Sequence, residues 1–163
     1  MNIITRPKIL IRKARICDLD EIFMMWYEFI KHTEMKTKHK SQKLKKNFKS
    51  LGKPHLKKQI YSKNSLVLVI EYNSRLIGYG VFQVSKFPPI YLIGKEIGVC
   101  DIFIKKEFRG FGLAKKLLAE GKKWGRKKGL KYSNLQVLFW NKNAIKAYKK
   151  AGFRIIRYIM KDY

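Results

Sequence analysis

Apolar positions along the chain fall into blocks with two different periods. Lys8 to Lys13 (K-I-L-I-R-K) is a short apolar run with β-branched residues and predicts a first strand. Ile22, Phe23, Trp26 and Ile30 recur at helical spacing, which predicts an amphipathic helix over Leu19 to Lys31. Asp18 precedes it as the expected N-cap, three residues before Glu21, the spacing of a capping box. Leu44, Phe48 and Leu51 then share one helical face in a lysine-rich stretch, residues 36 to 63, that holds no acid. Gly52 and Pro54 are expected to break that helix, and Leu56 and Ile60 mark a second short turn of helix.

From Ser65 the pattern changes. Ser65 to Tyr72 (S-L-V-L-V-I-E-Y) is apolar almost throughout, so a strand buried on both faces is expected. A turn at Asn73-Ser74 joins it to a second strand, Leu76 to Val84, as a hairpin. Pro88-Pro89 marks a loop, and Glu96 to Ile104 reads as a third central strand. Phe111 to Lys128 is helical in pattern, with Gly129 as its C-terminal cap. A strand over Tyr132 to Phe139, a helix over Asn143 to Lys150 ended by Gly152, and a last strand over Phe153 to Met160 complete the order. The series β, α, α, β, β, β, α, β, α, β predicts a mixed α/β (α+β) domain with antiparallel hairpins in the middle. The 163 residues fit a single domain, residues 1 to 163, large enough to bury a core without disulfides.

Charge changes the picture more than composition does. Thirty-eight Lys and Arg face 11 Asp and Glu, for a formal net charge of +27. Such a surface attracts polyanions, so association with nucleic acid or a ribosomal surface is one reading. The blander reading is a lysine-rich composition whose charges are simply solvated. Cys17 and Cys100 are the only cysteines, and His32, His39 and His55 show no metal-ligand spacing, so no metal is expected. Two thiols and no signal peptide point to a reducing cytoplasm. No apolar run approaches the roughly 20 residues of a transmembrane helix.

The segment from Ile102 to Leu118 concentrates the candidate chemistry. It reads as strand, charged turn, glycine-rich turn and helix. Gly110 and Gly112 let the backbone approach a bulky anion, and the N–H groups of a starting helix point at it. Arg109 adds a permanently charged planar donor. The physics predicts a phosphate or pyrophosphate site, although R-G-F-G alone also fits a plain strand-to-helix turn.

Arg109-Gly110-Phe111-Gly112-Leu113-Ala114 resembles the (Gln/Arg)-x-x-Gly-x-(Gly/Ala) turn of the GCN5-related N-acetyltransferase (GNAT) superfamily. The run Asn141 to Phe153, an Asn followed by a helix with Tyr148 and then Gly152-Phe153, resembles that family's second element. The resemblance implies a mostly antiparallel central sheet, flanked by helices, with a parallel strand pair that splays apart. It implies acetyl-CoA as co-substrate in that splay, between Glu96–Ile104 and Tyr132–Phe139. Backbone groups near Ile102, Phe103 and Ile104 would pair with the pantetheine arm and polarise the thioester. Asn141 would touch the pantetheine or its neighbouring backbone. Tyr148 resembles the tyrosine placed beside the CoA sulfur, as proton donor to the departing thiolate. The family is often dimeric, so a homodimer is one implied assembly.

Acyl transfer needs a neutral amine. A lysine ε-amine with a pKa of about 10.4 is rarely neutral at pH 7, so a base matters. Glu96, thirteen residues before Arg109, resembles the base glutamate of histone-type members and is the first choice; Asp101 is the second, and a water chain is a third route. Glu107 sits in the turn and offsets local charge. Five of the 11 acids, Asp18, Asp20, Glu21, Glu28 and Glu34, fall in or beside the first helix, where a patch could select a cationic amine. The acceptor expectations are a protein amine, N-terminal or lysine, and, as an alternative, a small amine of the polyamine or aminoglycoside kind. A basic nucleic-acid- or ribosome-associated binding module, on the same scaffold, is the reading from another class.

Overall fold

The computed structural model describes residues 9–37 and 43–162. Its centre is a five-stranded sheet of β1 (Ile9–Lys13), β2 (Ser65–Tyr72), β3 (Arg75–Lys86), β4 (Lys95–Ile104) and β5 (Ser133–Leu135), in that spatial order. The first three pairings are antiparallel and β4–β5 is parallel. Helices α1 (Leu19–Thr37) and α2 (Phe48–Tyr61) cover one face; α3 (Leu113–Lys127) covers the other, and α4 (Lys142–Lys150) follows β5.

Alternation along β2 explains why one sheet carries two cores. Leu66, Leu68 and Ile70 point toward α3, where they meet Phe82, Ile97, Leu117 and Leu118. Val67 and Val69 point the other way, to Ile22, Phe23, Met25 and Leu56 beneath α1 and α2. Each fully buried aliphatic side chain of this kind contributes about 1.5–3 kcal/mol. Gly121 and Gly125 let α3 lie close on the sheet. A methyl at Gly121 would overlap the buried Phe82 ring, and one at Gly125 would overlap Ile97.

Several expectations are corrected here. Asp18 does not cap α1 and forms no capping box with Glu21. It ends a 3-10 turn, Ile16–Asp18, and its buried carboxylate accepts from both terminal nitrogens of Arg12 at 2.7 and 2.9 Å and from the Arg15 N–H at 2.6 Å. Arg12 also donates to Glu71 at 2.8 Å, so one arginine ties the entry of α1 to β1 and β2. The first helix runs on to Thr37, six residues past the expected Lys31.

Residues 44 to 47 are not helical, and α2 starts at Phe48 and passes through Gly52 and Pro54 without ending. The missing proline N–H is outweighed by packing. Gly52 sits against Phe23 and Trp26, while Phe48 stacks on Phe23 with centroids 5.6 Å apart. Residues 38 to 42, including His39 of the basic stretch, lie outside the described residues, as do Lys8 and the residues before it.

The expected strand Tyr132–Phe139 is reduced to Ser133–Leu135. The expected last strand, Phe153 to Met160, is not a strand, and Ile156 and Met160 are about nine-tenths exposed. The two corrections are linked. A three-residue β5 offers too short an edge for an eight-residue antiparallel partner.

Asp18 should be the most sensitive polar position of the scaffold. Arg12 holds its carboxyl below the usual range, so its contribution is present above the unfolded carboxyl pKa and is lost as pH falls. Asp18→Asn is expected to cost about 2–3 kcal/mol at pH 7, read as a lower urea midpoint, because it leaves Arg12 and the Arg15 N–H under-satisfied.

Candidate active site

β4 has two unlike edges. Along β3 it is paired from Lys95 to Ile104. Along β5 it is paired only at Ile97–Ser133, Gly98–Asn134 and Val99–Leu135. Beyond Val99 no strand lies against that edge among the described residues. The splay inferred for Glu96–Ile104 and Tyr132–Phe139 therefore opens after Val99, and Ile102, Phe103 and Ile104 lie on its β4 side.

A bulge coincides with the opening. Phe82 pairs with Val99 and Val81 with Asp101, so Cys100 is passed over. Val99 and Ile102 both face the α3 core, with two residues between them where regular alternation allows one. Asp101 thereby takes the face of Phe103, toward α1 and α2, at the mouth of the splay.

The glycine-rich turn leads into a helix, as the sequence indicates. After β4 the chain makes a 3-10 turn, Lys106–Phe108, and reaches Arg109. Arg109 Nε donates to the Ile104 carbonyl at 2.8 Å, and the guanidinium lies over the Phe103 ring, 5.9 Å from its centroid. That pins the arginine stem and leaves its terminal nitrogens without a partner among the described residues. Gly110 and Gly112 have φ of 88° and 74°, a region that side-chain-bearing residues avoid. Gly112 is the N-cap of α3, so the first-turn N–H groups from Leu113 and Ala114 onward are uncommitted. Phe111 is 70% exposed, whereas the Leu113 side chain is core, so Leu113 can offer only its backbone.

Asn141 has a local duty. Its Oδ1 accepts the Ala144 N–H at 3.2 Å and caps α4. Tyr148, one helix further, is half-buried against the α3 core and meets Phe153 edge-on at 6.1 Å. Burial, and then the Asp101 charge, raise its phenol above the ordinary value, so it stays protonated. Asp101 itself is pushed up to about 6 by loss of hydration. The same loss, followed by the Asp101 charge, pushes the Cys100 thiol up to about 11, too high for a thiolate nucleophile. Glu96 stands lower on β4, at the zipped end of the parallel pair, where Asn134 Nδ2 donates to its carboxylate.

Some residues of this region have no signal in the sequence. Trp140 Nε1 donates to Thr37 Oγ1 at 3.2 Å, and its ring meets His32 edge-on at 5.8 Å. These contacts join the end of α1 to the turn before α4. The Tyr79 hydroxyl is fully buried near Asp101 with no hydrogen-bond partner among the described residues. Orphans of this sort cost about 1–3 kcal/mol and collect at functional sites. The acidic patch of the first helix, by contrast, is largely spent on the scaffold. Asp18 holds Arg12, Asp20 pairs with Lys53, Glu21 accepts from the Leu76 N–H, and Glu34 pairs with Lys31. Only Glu28 of the five has no such partner among the described residues. No group of three or more His, Cys, Asp or Glu could hold a metal among them, and no helix is long and apolar enough to cross a membrane.

This geometry has known relatives. The family model described as "Acetyltransferase (GNAT) family" matches residues 19–153. Thialysine N-epsilon-acetyltransferase of Sus scrofa is 35% identical over 81 residues, 50% of this chain and 46% of that protein. The chain thus spans about half the length of the curated relatives it matches. Among solved structures, a Bacillus halodurans protein superposes with a TM-score of 0.79 at 17% identity, covering 94% of this chain and 99% of that one. A predicted acetyltransferase of Clostridium acetobutylicum, solved with acetyl-CoA, gives 0.75 at 16% identity, covering 96% of both. The mixed sheet with one parallel pair, the turn from Arg109 to Ala114 and a match across most of the chain converge: this protein belongs to the acetyltransferase (GNAT) family.

Proposed function

We propose that this chain transfers an acetyl group from acetyl-CoA directly to a primary amine. One observation carries the reading. The open edge of β4 and the uncommitted N–H groups that start α3 adjoin each other, so a pyrophosphate and an extended amide-bearing arm can be held together. In this reading Arg109 and the N–H groups from Gly110 to Ala114 bind the pyrophosphate. The edge at Ile102, Phe103 and Ile104 aligns the pantetheine and supplies an N–H to the thioester oxyanion. Asn141 shapes that wall by fixing the start of α4.

Tyr148 hydrogen-bonds the departing thiolate. A phenol raised above 10 gives up its proton reluctantly to a thiolate of pKa about 8.5, so it acts chiefly by charge-assisted hydrogen bonding. We place the base at Asp101 rather than Glu96. Asp101 stands at the mouth of the splay with a pKa near working pH, whereas Glu96 is held by Asn134 at the zipped end. Direct transfer is the route in this reading, and the raised pKa of the Cys100 thiol agrees with it.

For the acceptor we favour a small molecule bearing a lysine-like ε-amine. This rests on the likeness to thialysine N-epsilon-acetyltransferases. A protein amine is the second reading, favoured by the open aromatic groove of about 310 Å³ between α1 and α2, lined by Trp26, Phe48, Leu51 and His55.

Thiol release from acetyl-CoA against a panel of thialysine, lysine, polyamines and amino-terminal peptides tests the activity. Turnover is expected with at least one small ε-amine. A chain whose melting temperature rises with acetyl-CoA, yet which releases no thiol with any amine, refutes catalysis and keeps binding. Arg109→Ala is expected to raise the KM for acetyl-CoA about tenfold with a smaller change in kcat. Tyr148→Phe should lower kcat roughly 10- to 100-fold.

Asp101 allows two separable measurements. Asp101→Asn should abolish the acid limb of the pH–rate profile near 6, and Glu96→Gln should leave that limb in place; the reverse pattern returns the base to Glu96. The folded chain binds the Asp101 proton more tightly than the unfolded chain does. Stability from this group is therefore greatest below its ordinary pKa of 3.8 and is lost as pH rises through about 6. Asp101→Asn should thus be more stable than the parent at pH 7.5, by about 3 kcal/mol in urea unfolding, and the gain should vanish below pH 4.

A further inference from the structure

At the far end of α3 from the glycine-rich turn lies a second hollow, of about 360 Å³, with Lys13, Ser62, Lys63, Ser65, Trp124 and Lys128 among its walls. It is built where β1 ends, α2 ends, β2 begins and α3 ends. None of its lining residues is acidic, and none of the three lysines has an ion-pair partner among the described residues. Two helix C-termini point this way, which would ordinarily disfavour an anion. Three of their terminal carbonyls are engaged: Gly125 O by the Lys128 and Leu130 N–H groups, Arg126 O by Gly129, and Gln59 O by Ser62; the lysines offset the rest. Trp124 is half-buried. It packs against the core, and the Lys128 ammonium lies 5.4 Å from its ring centroid.

We propose that this hollow binds single-stranded nucleic acid, with one base stacked on Trp124 and the adjoining phosphates held by Lys13, Lys63 and Lys128. An aromatic face beside unpaired cations is the combination that single strands require. Lys128, on a flexible stem, turns from the ring to the phosphate as the base arrives. Exposed Lys123 and Lys127 lie beside Trp124 on α3 and extend the positive surface out of the hollow. The site is separate from the cofactor cleft. Gly112 and Lys128 bracket α3, and its 15 residues of helix span about 22 Å.

The test is fluorescence anisotropy of a dye-labelled oligouridylate of about 15 nucleotides, titrated with the full chain across a salt series. The combined variant Lys13→Glu, Lys63→Glu, Lys128→Glu should weaken binding at least about tenfold and reduce the slope of log K against log salt by about 2. A control with the same change of charge on α4, Lys146→Glu, Lys149→Glu, Lys150→Glu, should weaken it by less than about threefold. Equal losses from the two combinations would overturn the proposal in favour of net charge alone. In a Trp26→Phe, Trp140→Phe chain, Trp124 is the single tryptophan, and its emission should be quenched by the oligonucleotide; unchanged emission refutes the stacking. Saturating acetyl-CoA should leave the anisotropy unaltered. Displacement by acetyl-CoA would put the strand in the cofactor cleft, and preferential binding to phosphatidylserine vesicles would make the partner a membrane; either result overturns the proposal.

Discussion

The unequal pairing of β4 governs the rest of the molecule. A strand in the middle of a sheet ordinarily spends its backbone hydrogen bonds on two neighbours. β4 does so only as far as Val99, and from Cys100 to Ile104 one edge has no strand beside it among the described residues. Leaving such groups dry and unpaired costs about 1–3 kcal/mol each, so that edge must face water or a partner that behaves like a strand. Three other features follow from the same opening. The bulge at Cys100 turns Asp101 toward the α1 and α2 side. The glycine-rich turn from Arg109 follows closely on the unpaired stretch. α4 follows the shortened β5, with Asn141 as its cap and Tyr148 packed against the α3-side core.

Legibility in the sequence followed the range of the interactions. Ser65 to Tyr72 was readable to the residue, because burial on both faces leaves a continuous apolar run. The turn from Arg109 to Ala114 was readable because its requirements are local: positive φ at two glycines and a helix start. Pro54 misled because local breaking tendency was overruled by Gly52 and Phe48 packing on Phe23, contacts more than twenty residues away in sequence. Asp18 has the spacing of a cap, yet Arg12 and the Arg15 N–H claim it first. Trp140 and Thr37 meet across 103 residues, and no pattern in either segment announces it. The choice between Glu96 and Asp101 turns on a register shift of one residue, which alternation in the sequence does not display.

Electrostatics divides the molecule unevenly. The chain carries a large excess of cations, but its few acids are concentrated in structural duties, and most of those near α1 are already matched. Asp101 differs from them: burial disfavours its charge, and no cation is paired with it among the described residues. A carboxyl buried without a cation carries a standing cost in stability whenever it is ionised.

The close seating of α3 has a geometric consequence. Gly121 and Gly125 bring its backbone down onto Phe82 and Ile97, two buried side chains with no room to yield. The helix can neither slide nor roll without opening the core, so the distance between its two ends is fixed by the number of its residues. α3 is therefore a ruler: whatever is gripped beside Lys128 and whatever is gripped before Leu113 are held at one constant separation.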